Sequence, residues 1–147
     1  MQTTVLAATL AFALPLATAN VPKPPAAVER QLAAYNAHDL EAFMACYTDD
    51  VELYEFPDKP IAKGAAAMRE RYKARFADPI LRAEVQNRIV MGERVIDLEH
   101  VVRTWPEGSG TWELVAIYEL RGERIGKVYF IFGAKTLDRS QPASARP

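Results

Sequence analysis

The sequence holds one cysteine, two histidines and an almost even balance of charge, 18 Lys and Arg against 19 Asp and Glu over 147 residues. Each scarcity removes a class of function. The lone Cys46 forms no intramolecular disulfide, so even in an oxidising compartment the fold must rest on its apolar core. His38 and His100 lie far apart with no zinc-ligand spacing. A formal charge of -1 excludes a uniformly basic nucleic-acid binder. The sequence also lacks a Gly-rich phosphate loop, a Gly-x-Ser-x-Gly elbow and a Cys-x-x-Cys pair. Catalysis in such a chain is expected to use no cofactor and to rest on a carboxylate in an apolar pocket.

Long hydrophobic runs are missing too. Val5 to Leu16 is uncharged and apolar, but about a dozen residues fall short of the roughly 20 that cross a bilayer as a helix, so no permanent membrane anchor is expected. Ala17-Thr18-Ala19 follows with the small-x-small pattern of a signal-peptidase site, although Met1 to Thr4 contains no Lys or Arg. These features predict a cleavable leader over 1–19, cut after Ala19, and a periplasmic or secreted product. Residues 20–25 form a Pro-rich spacer, 26–137 the working domain, and 138–147 a small, polar, Pro-punctuated tail expected to be disordered.

Within the domain the hydrophobic period changes from about 3.6 to 2. Val28, Leu32 and Tyr35 mark a first helix ending near His38; Asp39 caps a short second one carrying Leu40, Phe43, Met44 and Tyr47. A strand over 51–56 stops at Pro57-Asp58-Lys59-Pro60. A third helix over 64–77 places Met68, Tyr72 and Phe76 on one stripe. Four strands follow, roughly 82–91, 94–105, 111–121 and 124–133, separated by Gly92-Glu93, by the loop Pro106 to Gly110, and by Gly122-Glu123. Helices in front and an antiparallel meander behind define an α+β fold.

Alternation sorts each strand into two faces. Trp112, Leu114, Ala116, Tyr118 and Leu120 form one set, predicted to face the helices; Ile96, Leu98, His100 and Val102 form the matching apolar set on the preceding strand, leaving Asp97, Glu99 and Arg103 outside. Ala83, Val85, Asn87, Ile89 and Met91 share a parity, as do Val51, Leu53 and Glu55. Polar residues facing inward need partners or a pocket. Glu55, Asn87, His100 and Tyr118 on four strands therefore suggest a polar-dotted apolar pocket, walled by Tyr35, Leu53 and Leu114 with Trp112 at its rim.

The stretch Leu32-Ala33-Ala34-Tyr35-Asn36-Ala37-His38-Asp39-Leu40-Glu41-Ala42-Phe43, then Tyr47-Thr48-Asp49-Asp50-Val51-Glu52-Leu53, and the closing Gly126-Lys127-Val128-Tyr129-Phe130-Ile131 resemble the nuclear transport factor 2-like superfamily, in its SnoaL-like and ketosteroid isomerase-like branches. The resemblance spans the whole domain. It implies a cone-shaped, curved antiparallel sheet wrapped around three N-terminal helices, a pocket for a small hydrophobic molecule, and a homodimer. It also places Glu55 where ketosteroid isomerases keep the carboxylate that moves a proton beside a carbonyl, an enzyme used as a standard case of carboxyl pKa tuning. The positions of the family's two oxyanion donors fall near Gln31 and Ala116, neither of which is the family's residue. Tyr35, Tyr118, His100 or Asn87 are the candidate substitutes.

The remaining features carry blander readings. Arg69, Arg71, Lys73 and Arg75 make the third helix basic, which reads as a solvated face without nucleic-acid binding. Cys46 reads as a packed side chain, and His38 as local capping chemistry. Two functions from different classes fit. One is a cofactor-free isomerase or polyketide cyclase with Glu55, His100 and Tyr118 as catalytic residues and Tyr35, Asn87, Trp112, Leu53 and Leu114 around the substrate. The other is a non-catalytic domain binding a small ligand or a protein partner.

Overall fold

The computed structural model describes residues 25–138. The leader over 1–19, all of the spacer except Pro25, and the tail beyond Asp138 lie outside the described residues.

The chain runs α1 (Ala26–Asn36), α2 (Leu40–Met44), β1 (Tyr47–Glu55), β2 (Lys59–Lys63), α3 (Gly64–Arg75), β3 (Arg82–Met91), β4 (Arg94–Trp105), β5 (Gly108–Arg121) and β6 (Arg124–Leu137). Local signals end the first helices where expected. His38 adopts a left-handed φ of 55°, and its ring lies 2.8 Å from the Leu81 carbonyl through Nε2, stacked on Phe76. The Asp39 carboxylate then accepts from the Ala42 N–H at 3.0 Å and starts α2.

One curved, unclosed sheet carries the strands in the order β2-β1-β6-β5-β4-β3. The expected antiparallel sheet is in fact mixed, because β6 returns beside β1 in the same direction. After β2 and α3 the chain crosses to the far edge of the sheet and enters β3 antiparallel to β1, so the three reversals of the meander bring β6 back parallel to β1. The segment read as a strand stop, Pro57 to Pro60, does end β1, but its last two residues, Lys59 and Pro60, already pair back as the start of β2. Val28, Phe43, Met68 and Tyr72 from the helices pack against Val51, Leu53, Val95, Val101, Leu114, Ala116, Ile125 and Val128 of the sheet's inner face. Cys46 belongs to this core; burial pushes its thiol above the usual cysteine range.

Two strands turn the opposite face inward from the one expected. On β4 the buried set is Val95, Asp97, Glu99 and Val101, while Ile96, Leu98, His100 and Val102 point outward. The cause is the β4–β5 turn. A loop from Pro106 to Gly110 sets Trp105 opposite Thr111, but the actual turn is Pro106-Glu107 and sets Trp105 opposite Gly108. That three-residue difference is odd, and an odd slip exchanges the two faces of a strand. On β3 the register breaks between Val85 and Asn87, so Gln86 is an extra residue. Ala83 and Val85 keep the inner side, but beyond the bulge Arg88 and Val90 take it over, and Asn87, Ile89 and Met91 turn to solvent.

Candidate functional site

A small cavity of about 30 Å³ lies between α1, α3 and the inner face of the sheet. Helix α1 contributes Gln31, Leu32 and Tyr35, and α3 contributes Tyr72 and Arg75. Tyr47, Ala83, Glu99, Val101, Leu114, Tyr118 and Phe130 close the strand side. This is room for a few waters or the reacting end of a small molecule, well below the ~300 Å³ at which ligand pockets begin.

A directed chain of hydrogen bonds runs along the wall. The Tyr47 hydroxyl donates to Gln31 Oε1 at 3.2 Å, Gln31 Nε2 donates to the Tyr118 hydroxyl at 3.0 Å, and Tyr118 donates to Glu99 Oε1 at 3.0 Å. Packing makes this possible. Tyr118 sits opposite Val95 and Glu99 opposite Leu114, with the Ala116–Asp97 pair between them. Because Ala116 is small, the Tyr118 ring can lean along β5 over it and reach Glu99. Each donor in the series points toward the carboxyl group, so the bonds polarise one another in the same sense.

Glu99 is 5% exposed. Burial raises its pKa to about 7, the Asp97 charge pushes the same way, and the Tyr118 hydrogen bond and Arg88 charge oppose the rise. Among the described residues its second oxygen, Oε2, has no protein hydrogen bond. Behind it, the fully buried Asp97 carboxylate accepts two bonds from Arg88, Nε to Oδ1 at 2.6 Å and Nη2 to Oδ2 at 2.7 Å, and Arg88 also pairs with Glu29 of α1. Across the cavity, the Tyr35 and Tyr72 hydroxyls donate to none of the described residues; burial holds both phenols above their usual pKa. The cavity thus holds a carboxyl group poised near neutrality opposite two phenol donors.

The residues singled out from sequence separate into two groups. Tyr35, Tyr118 and Leu114 line the cavity. Glu55 keeps the parity of Val51 and Leu53 and sits beside the cavity-lining Phe130, but as the last residue of β1 and outside the cavity lining. There its side chain is 39% exposed and pairs with Lys59 at 2.8 Å. His100 is on the outer face, 3.6 Å from Glu113. Asn87 is exposed and caps the Arg88 N–H through its own Oδ1. Leu53 is fully buried core without a place on the cavity wall, and Trp112 stacks on Phe132 at 4.4 Å, also outside the cavity lining. Sequence reasoning missed Glu99, Tyr47, Tyr72 and Arg75. Gln31 enters the sequence reading only as the position near which one of the family's oxyanion donors falls. For Glu99 a signal existed: with Pro106-Glu107 taken as a two-residue loop, Tyr118 falls opposite Val95, and Asp97 and Glu99 follow inward.

Among the described residues, no group of three or more His, Cys, Asp or Glu side chains could hold a metal ion. No curated protein matches the sequence. Solved structures share the fold. An uncharacterised cystatin-fold protein from Novosphingobium aromaticivorans is 27% identical with a TM-score of 0.66, the match covering 71% of this chain and 94% of that one. The Δ5-3-ketosteroid isomerase from a Mycobacterium species is 19% identical with a TM-score of 0.66, covering 76% and 95%. An epoxide hydrolase of the LEH-like type from M. tuberculosis is 16% identical with a TM-score of 0.63, covering 73% and 80%. At the last two identities the likeness concerns the fold alone. The profile of the SnoaL-like domain matches residues 28–128, a span that includes every cavity-lining residue except Phe130. The chain belongs to the SnoaL-like domain family.

Proposed function

We propose that the cavity carries out cofactor-free proton transfer at the carbon beside a carbonyl group, with Glu99 as the base. The observation that carries this reading is the state of Glu99: buried at the cavity wall, raised to about 7, with Oε1 held by Tyr118 and Oε2 without a protein partner. A base works best when its pKa is near the working pH. In the step, Oε2 takes a proton from the carbon, the C–H electron pair forms the enolate double bond, and the negative charge moves to the carbonyl oxygen. Tyr35 or Tyr72 donates a hydrogen bond to that oxygen, while Tyr118, Gln31 and Tyr47 hold the carboxyl group in place. Return of the proton to the same or another carbon gives exchange or isomerisation.

Deuterium uptake by acetone and cyclopentanone, followed by NMR, tests this. The wild-type chain should accelerate uptake, and Glu99→Gln should lose ~10²-fold or more of that acceleration, while Glu55→Gln keeps it. Equal uptake by wild type and Glu99→Gln, or a loss confined to Glu55→Gln, would defeat the assignment. Export through the leader over 1–19 belongs to the same reading of the chain, and cleavage after Ala19 would show as a mature N-terminus at Asn20.

The outer face of the sheet supports a homodimer. Ile89, Ile96, Ile117, Tyr129 and Tyr54 lie in one row across five strands, with Leu98, Val115 and Ile131 in the next. Ile89 and Ile131 are 55% and 44% exposed. Contiguous apolar surface of this kind marks association. Ile131→Glu, at a position open enough to keep the fold, should convert a dimer into a monomer in sedimentation velocity; an unchanged sedimentation coefficient would remove this face from consideration.

A further inference from the structure

The basic helix does not behave as a uniformly solvated surface. Arg69 pairs with Glu41, and Lys73 is exposed, but Arg71 and Arg75, one turn apart on the same side of α3, are half-buried, and Arg75 lines the cavity. Arg103, on β4 two residues beyond the inward Val101, acts electrostatically on Arg71, and Arg75 acts on both. Arg75 on the cavity wall, Arg71 one turn before it and Arg103 two residues past the cavity-lining Val101 thus form one group of cations beside the cavity. None of them forms an ion pair with a carboxylate among the described residues. Asp78, the acid that acts on Arg103, is already engaged by the Thr104 N–H and hydroxyl and by the Ile80 N–H.

Two details point to a ligand. The Nε atoms of Arg71 and Arg103 are both buried and have no hydrogen-bond partner among the described residues, although buried donors are ordinarily satisfied. Burial and the neighbouring Arg75 charge also lower the proton affinity of both groups, so the cluster stands in mutual repulsion. Glu99 does not relieve it, since the cation acting on that carboxyl group is Arg88.

We infer that Arg71, Arg75 and Arg103 form the carboxylate-binding end of the site, so that the substrate is a small keto acid whose ketone enters the cavity while its carboxylate rests on the guanidinium groups. The inference builds on the proton-transfer reading by naming a substrate class. The size of the space agrees, because the end of a small ketone is what the cavity can take, which leaves the charged end outside it for the neighbouring guanidinium groups. An organic acid is favoured over a free inorganic anion because Arg75 shares the wall with Tyr72, Leu114 and Phe130, which give an adjoining carbon skeleton apolar contact.

The experiment compares levulinate with levulinamide by isothermal titration on the full chain. Levulinate should bind roughly tenfold or more tightly than the neutral amide, the range for charge-assisted hydrogen bonds, and Arg75→Gln combined with Arg103→Gln should bring the two ligands together. Because those substitutions relieve repulsion, the ligand-free double variant should melt no lower than wild type; a lower melting temperature assigns the arginines a structural role and overturns the inference. Levulinate binding that is undetectable, equal to that of the amide, or unchanged in the double variant also overturns it, as does inorganic phosphate binding as tightly as levulinate. The acid–amide difference is read again in Glu99→Gln. It should persist there, so failure of the proton-transfer reading, measured on neutral ketones, remains separate from failure of this one.

Discussion

Arg88→Met should destabilise the domain by ~3–5 kcal/mol, the range for removing one partner of a buried ion pair. Asp97 is fully buried, and Arg88, its cross-strand neighbour, satisfies both of its oxygens. Without the guanidinium group, the carboxylate is left in an apolar core with no counter-charge. At several degrees per kcal/mol for a domain near this size, the melting temperature should fall by on the order of 10 °C or more, and the midpoint of urea unfolding should move with it. The double substitution Arg88→Met with Asp97→Leu should recover most of the loss, since well-packed apolar residues replace a buried pair at little net cost. If the double variant is as unstable as the single one, the Arg88 contact with Glu29 on α1, rather than the unpaired Asp97, is the source of the effect.

The same pair shows what is legible in the sequence. Period and turn chemistry locate the three helices and the four long strands, because apolar spacing and Gly- or Pro-marked turns are local signals. The family resemblance covers the same span. Facing is another matter. On β5 the apolar set Leu114, Ala116, Tyr118 and Leu120 is inward as its alternation predicts, but β4 carries apolar residues on both parities, so counting hydrophobic side chains selects the wrong one. Ile96, Leu98 and Val102 belong to the outer face with Val115 and Ile117, while the inner set contains two acids. A buried acid is legible only through its partners. Arg88 reaches Asp97 because the Gln86 bulge turns it inward, and Tyr118 reaches Glu99 across Ala116; bulge and lean are both set by pairing at long range. Glu55 illustrates the converse. Its parity is legible, but the parity of a strand does not tell how far along the sheet a residue lies from the cavity, and Glu55 falls at the last position of β1, paired with Lys59.

Glu99 should give the molecule a stability that falls as pH rises. Its folded pKa is about 7 against a usual 4.5, so the folded state holds a proton that the unfolded chain has already released. Stability is complete below about pH 4.5, declines through the window up to about 7, and is lower by ~3 kcal/mol above it, because each tenfold difference in proton affinity between the folded and unfolded chain is worth about 1.4 kcal/mol. Glu99→Gln keeps the size and neutrality of the protonated side chain and removes the titration. It should therefore match wild type below pH 5 and melt on the order of 10 °C higher at pH 8. Tyr118→Phe removes a hydrogen bond that favours the ionised form, so its window should extend to higher pH. A gap between wild type and Glu99→Gln that is the same at pH 5 and pH 8 would show that Glu99 is not the titrating group. The catalytic reading adds a second constraint: a base must be ionised, so deuterium uptake by a neutral ketone should rise with pH over the upper part of the window in which stability declines. Tyr118→Phe should move both curves in the same direction, because one proton on one carboxyl group governs them. A structural carboxyl group accounts for the stability curve alone, whereas a rate that rises as stability falls, shifted together with it by a change at Tyr118, requires that the group destabilised by burial is the group that accepts the proton.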